Sequence, residues 1–197
     1  IEARYRVHGF KAAFRLPDVA SFAPLRQYLA TLGYRKEQPT LVQTGHVLAM
    51  RQLIDRPKAE VADTPDAAWA QLFLGDGFDP VDGAHRVTLL SRAQGTAFAS
   101  VRQDGETVAG GAGSFNHGWA SVHGMRTVLS HRRQGLAKNV LASLAQTALD
   151  RGFENVFLQV EAENLAAQAV YQQAGFQTAW QYSYWRKRIM IHDRTGH

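Results

Sequence analysis

The 197-residue chain contains no cysteine. That excludes disulfides, thiolate metal sites and a cysteine nucleophile, and it fits a reducing compartment. No run of about 18 apolar residues occurs, so no membrane-spanning helix is expected. The opening stretch IEARYRVHGF lacks the apolar core of a secretory signal. A cytoplasmic location is the expectation that follows. Low-complexity tracts are missing too. So is any helix-turn-helix, zinc-finger or RNA-binding signature, and nucleic acid is not an expected partner. His117, Asp76, Asp79 and Asp82 have no metal-ligating spacing. The stretch DGFDPVDG lacks the closing glutamate of a calcium loop, so no metal is expected.

What is present is an ordinary globular composition, 45% hydrophobic and 20% charged, long enough to bury a core without staples. Charge is unevenly placed. Residues 1–58 carry ten Lys/Arg against four Asp/Glu, and the remainder carries twelve against thirteen. A solvated basic face is the expected reading of the first part, with docking of an acidic partner or an anionic surface as the alternative.

Hydrophobic periodicity predicts a helix tail ending at Gly9, a strand over 10–16 and a helix over 18–34 stopped at Gly33. It also predicts a strand over 39–53 interrupted at Gly45. A linker is expected at 55–60, dividing a first part, 1–58, from a second, 59–197. Asp63 or Thr64 followed by Pro65 predicts a helix start near 63. Three strands follow at 96–103, 107–115 and 119–128, the first two joined by the hairpin signal Asp104-Gly105. Then come helix 135–150, strand 155–160, a helix capped by Asn164 and stopped by Gly175, and an alternating strand over 176–188. The order defines a mixed α/β unit built around a sheet. One echo links the two parts: Tyr-x-x-x-Gly-Phe occurs at Tyr5–Phe10 and again at Tyr171–Phe176.

The chemistry gathers at SHRRQGLAKNVLASLAQTAL, residues 130–149. A helix start offers free N–H groups and the positive end of a dipole. A glycine there lets a phosphate approach the backbone, and Arg132, Arg133 and Lys138 add positive charge. In its wider context this stretch resembles the acetyl-CoA-binding core of the GNAT N-acetyltransferase superfamily. The likeness rests on Met125-Arg126-Thr127 at a strand end and on Arg132-x-x-Gly135-x-Ala137 opening a helix. It continues through Leu158-Gln159-Val160, Asn164 and Ala169-Val170-Tyr171-Gln172-Gln173-Ala174-Gly175-Phe176. Residues 1–58 read as a partial, degenerate copy of the same unit.

The resemblance implies a mostly antiparallel sheet with splayed central strands flanked by helices. It implies acetyl-CoA as co-substrate, with the diphosphate on the Arg132, Arg133, Gln134, Gly135, Leu136, Ala137 and Lys138 turn and the pantetheine arm along Met125, Arg126 and Thr127. Asn164 would bind that arm, and Tyr171 would touch the cofactor and protonate the leaving thiolate. The implied reaction is direct attack of a primary amine, from a small molecule or a peptide N-terminus, on the thioester in a ternary complex. The implied oxyanion donor is a backbone N–H near Thr127. A base must take the amine proton. Ribosomal-protein N-terminal acetyltransferases have a glutamate where this chain has Gln159, and an amide cannot serve. Glu161, Glu163 and His123 remain as candidates, as does a bound water. Loss of the base would instead leave an acyl-CoA-binding regulatory module without turnover. The sequence leaves the oligomeric state open, a homodimer included.

Overall fold

In the computed structural model, which describes residues 1–75 and 79–187, the chain forms α1 (Glu2–Val7), β1 (Ala13–Pro17), α2 (Ala23–Thr31), β2 (Tyr34–His46), α3 (Val47–Arg51), β3 (Glu60–Ala62), α4 (Ala67–Gln71), α5 (Pro80–Arg92), β4 (Ala97–Gln103), β5 (Glu106–Asn116), β6 (Trp119–Thr127), α6 (Leu136–Asp150), β7 (Asn155–Glu161), α7 (Leu165–Gln173) and β8 (Gln177–Lys187). The strands are mostly antiparallel and flanked by helices, a mixed α/β fold. They fall into two compact units. One comprises Ile1–Val42, Val160–Asn164 and the chain from Ala179 onward; the other comprises Gln43–Gln159 and Leu165–Thr178.

In the first unit the strand order is β1-β8-β2. β1 lies antiparallel to β8, from Ala13 opposite Arg186 to Pro17 opposite Tyr182. Its core is Leu16, Leu29, Tyr34 and Trp185, with Phe14 and Phe22 packed against them. The Tyr-x-x-x-Gly-Phe echo is structural. The Phe10 N–H donates to the Tyr5 carbonyl at 2.9 Å, and the Phe176 N–H donates to the Tyr171 carbonyl at 3.0 Å. In both, a left-handed glycine ends the helix, Gly9 at φ +73° and Gly175 at φ +82°.

In the second unit the order is β7-β6-β5-β4-β3. Asp104 (φ 51°) and Gly105 (φ 83°) turn β4 into β5, and His117 (φ 50°) and Gly118 (φ 77°) turn β5 into β6. Two consecutive positive φ angles match the twist of the flanking strands. α6 buries Leu136, Val140, Leu141, Leu144, Ala145 and Ala148. An added Cβ at Gly111 would touch Val140 of α6, and one at Gly113 would touch Leu144, so that face of β5 meets α6. The opposite face carries α4 and α5: Trp69, Leu72, Phe73, Phe98 and Ala112 form its cluster, joined by Val87 and Leu90.

Three expectations need correction. β2 begins at Tyr34 and stops at His46, and 47–51 is helix α3 rather than strand. Leu48, Ala49 and Met50 favour helix, and Val47 and Met50, one turn apart, are both buried. Gly45 sits where strand gives way to close packing, since a Cβ there would lie 3.2 Å from the Gly175 carbonyl oxygen. The 55–60 linker runs into strand β3, which pairs with β4 from Glu60 opposite Ser100 to Ala62 opposite Phe98. The helix start near 63 is displaced to Asp66, whose carboxylate accepts from the Trp69 N–H at 2.7 Å. Asp79 caps α5 in the same way, accepting from the N–H groups of Val81 and Asp82. Asp76 and the predicted strand end at Arg188 lie outside the described residues.

Candidate active site

β6 and β7 run parallel and pair from Trp119 opposite Asn155 to Val122 opposite Leu158. Among the described residues the pairing ends there, although β6 continues to Thr127. Beyond that point an amide-bearing chain could pair with β6 in place of β7.

On its other side β6 pairs with β5, and the register slips: Gly110 faces Arg126, whereas Ala112 faces His123. Two steps along β5 correspond to three along β6, which is a bulge with one surplus residue in β6. Gly124, at φ +57°, supplies the left-handed backbone it needs, and a Cβ there would meet Leu90 and Phe73 at 3.1 Å. Side chains directly opposite in an antiparallel pair share a face. Ala112 belongs to the α4 cluster, and a Cβ on Gly110 would meet Leu72 and Trp69 of that same side. His123 and Arg126 therefore both project toward α4 and α5. At odd spacing on a regular strand they would oppose each other.

α6 begins at Gly135, at φ +74°, with no side-chain cap on its first turn. Arg133, at φ 64°, is also left-handed. The Gly135 carbonyl accepts from Lys138 at 3.0 Å and Asn139 at 3.3 Å, and a Cβ on Gly135 would meet nothing within 4 Å. Arg132, Arg133 and Gln134 are exposed, Leu136 is buried beneath them, and Ala137 and Lys138 are half-buried. Uncapped amides beside open space and three cations suit a diphosphate.

Tyr171 of α7 is only 8% exposed. Burial pushes its phenol up to about 12, so it holds its proton at neutral pH. Its ring meets Phe176 edge-on at 6.0 Å. Gln159 of β7 is exposed. Glu161, Glu163 and Asn164 belong to the other unit. All three are exposed, and the Asn164 N–H donates to the Glu161 carbonyl at 3.0 Å in the turn before α7.

His123 is better furnished than its sequence suggests. Its Nε2 lies 2.8 Å from the Ser121 hydroxyl, which donates to the Ser114 carbonyl at 3.3 Å. With the single hydroxyl proton on that carbonyl, Nε2–H donates to the Ser121 oxygen and the lone pair lies on Nδ1. Burial lowers the imidazole below its ordinary value. Alternation places Ser121 and His123 on one face, but Ser114 enters only through the β5–β6 register, which the sequence does not display.

Arg126 lines a cavity of 690 Å³ with Ala68, Gln71, Leu72, Thr107 and Arg132. Its guanidinium is lowered to about 10 by burial first, then by the charges of Arg132 and Arg86. Among the described residues no group of three or more His, Asp or Glu could hold a metal ion.

The parted parallel strands, the bulge and the uncapped glycine-led helix together define an acyl-CoA N-acyltransferase type of core. The family model described as the acetyltransferase (GNAT) family matches residues 50–176, and the chain belongs to that family. Human N-acetyltransferase 8 is 36% identical over 64 residues, 32% of this chain and 28% of that protein. The uncharacterized N-acetyltransferase YobR of Bacillus subtilis (strain 168) is 28% identical over 126 residues, 63% of this chain and 51% of that one. The chain thus spans about half of the bacterial relative's length and less of the human one's. Two solved structures share the fold. A GCN5-related N-acetyltransferase from Kribbella flavida has a TM-score of 0.69 at 17% identity, covering 94% of this chain and 71% of its own. A tandem GNAT protein from the clavulanic acid biosynthesis pathway has a TM-score of 0.67 at 13% identity, covering 91% of this chain and 65% of its own.

Proposed function

We propose that this chain is an acetyl-CoA-dependent N-acetyltransferase acting on a primary amine by direct attack in a ternary complex. The observation that carries the reading is the end of β6–β7 pairing at Val122–Leu158, in the same unit as the uncapped start of α6. Acetyl-CoA supplies the thioester. The amides and cations of Arg132–Lys138 bind its diphosphate, and the β6 stretch beyond its last β7 pair, Met125 to Thr127, takes the amide arm, for which Asn164 is a further proposed ligand. A backbone N–H near Thr127 stabilises the developing oxyanion.

The amine nitrogen bonds to the acetyl carbon, the carbon–sulfur bond breaks, and one amine proton must leave. His123 Nδ1 is the favoured acceptor for that proton, because the Ser121 contact at Nε2 is compatible with a lone pair on Nδ1 and burial disfavours the charged ring. Glu161, Glu163 and a relayed water are the alternatives. Tyr171 donates toward the leaving sulfur. A phenol near 12 holds its proton more tightly than a thiol of about 8.5, so hydrogen bonding to the thiolate is favoured over complete transfer unless burial also raises the thiol.

The deciding assay measures CoA release from acetyl-CoA with a panel of amines, amino acids and peptides. Turnover with a primary amine is expected. Tight acetyl-CoA binding without turnover on any acceptor would instead favour the regulatory-module reading, which Gln159 motivates. Residues 1–58 are read as a partial second copy, a reading supported by the helix-end hydrogen bond from Phe10 to Tyr5 that repeats the one from Phe176 to Tyr171.

A further inference from the structure

We infer that the acceptor amine carries an uncharged aromatic or other bulky apolar group, and that Phe157 and Trp119 hold this group on the face of the sheet that bears His123. The inference rests on the acetyltransferase reading and narrows its substrate class.

Side chains directly opposite in a parallel pair project to the same face. Ser121 of β6 stands opposite Phe157 of β7, and Trp119 opposite Asn155. On the other side of β6, Ser121 faces Ser114 and His123 faces Ala112, and Ala112 belongs to the α4 cluster. Ser121, His123 and Phe157 therefore share the α4 face, and alternation adds Gln159 one step further along β7. The Trp119 and Phe157 rings meet edge-on with centroids 6.3 Å apart. Neither belongs to the core cluster of Trp69, Leu72, Phe73, Phe98 and Ala112 on that face. Trp119 stays 39% exposed and Phe157 is half-buried. The two rings thus form an open apolar shelf on the same face as the candidate base, the kind of surface that receives an apolar ligand group.

The spacing suits an amine. One strand repeat separates Phe157 from the level of His123, about 7 Å along the strands, and a ring joined to its amine through a short alkyl chain spans that gap. Charge is missing from the shelf. Over the paired stretch and one step beyond it, this face presents Trp119, Ser121 and His123 from β6 and Asn155, Phe157 and Gln159 from β7. No carboxylate stands among them to hold a second ammonium, and no lysine or arginine to hold an acid. The cofactor arm is the competing occupant. It is assigned to β6 beyond the last β7 pair, whereas both rings lie where the strands are still paired.

The test measures kcat/KM for two matched pairs: 2-phenylethylamine against n-butylamine, and a peptide beginning with phenylalanine against the same peptide beginning with alanine. Comparing the ratio within a pair between wild type and variant cancels differences in amine basicity and in acetyl-CoA affinity. Wild type should prefer the ring-bearing member of at least one pair. Preference in the first pair alone identifies a small arylalkylamine, and preference in the second identifies a peptide N-terminus. The preferred ratio is expected to fall about tenfold in Phe157→Ala and about threefold in Trp119→Ala, the range for losing one aromatic contact. Phe157→Leu keeps an apolar side chain of similar size and guards against a folding defect: it should lower the ratio about threefold at an unchanged urea midpoint. A wild type without ring preference overturns the inference, as does a ratio that none of these variants changes. If no amine turns over, calorimetry of the same pairs with CoA-saturated protein separates the two readings. Ring-selective binding weakened in Phe157→Leu sustains the shelf while the enzymatic reading fails. The absence of ring-selective binding sinks the shelf itself.

Discussion

At the scale of single residues, burial and hydrogen bonding divide the labour. Tyr171 is buried, with its phenol near 12, so removing only its hydroxyl tests its chemistry with little effect on packing. Tyr171→Phe is expected to lower kcat about a hundredfold, within the usual range for a positioned acid, while acetyl-CoA affinity measured by calorimetry changes less than threefold. His123 makes the opposite demand, since it must be unprotonated to act. Burial lowers its pKa, so the acidic limb of kcat/KM should lie below the ordinary histidine value of about 6.5. That limb should disappear in His123→Gln, leaving the slope set by the amine of the acceptor. In Ser121→Ala, Nε2 loses its hydroxyl partner, and a several-fold drop in kcat is expected with the fold intact by circular dichroism.

Elements were legible where a local rule decided them. The Asp104-Gly105 turn, the Gly135 helix start and the Gly175 stop each follow from backbone conformations that few residues adopt, so the sequence marks them. α3 and β3 were not legible. Five residues of helix and three of strand are too short to show a period, and tertiary burial determines their state. The β6 bulge also escaped, because pairing with β5 creates it rather than any residue of β6 alone. As a result, the shared face of His123 and Arg126 could not be read from their spacing. Packing between elements can likewise reverse a local rule. Replacing glycine by alanine inside a helix ordinarily gains about 1 kcal/mol. In α5 a Cβ on Gly83 would overlap the Phe73 carbonyl oxygen, backbone that cannot swing aside. Gly83→Ala should therefore destabilise the protein by about 1–3 kcal/mol, seen as a lower urea midpoint at unchanged slope.

For the molecule as a whole, two groups in different units give stability the same dependence on acid. Folding lowers the pKa of His123 through burial, so the unfolded chain binds more protons just below pH 6.5 and stability falls as pH drops through that window. Asp18 acts at lower pH. Burial alone would raise its carboxyl, but hydrogen bonds from Lys36, Gln181 and Ser183 together with the Lys36 charge outweigh it, and the net shift is downward from 3.8. Its contribution is present above about 3.9, the unfolded value, and is lost as pH falls through the lower folded one. Denaturant midpoints measured from pH 8 to 3 should fall in two stages, with His123→Gln flattening the upper one and Asp18→Asn the lower. The bulge in β6 has a consequence of another kind. A strand counts in twos, so its surplus residue inverts the parity of everything beyond it. Deleting Gly124 would take away that surplus residue and leave Arg126 two places from His123, so plain alternation would keep those two on the α4 side and Met125 on the other. A single lost codon would thus straighten the strand while preserving which way every remaining side chain looks.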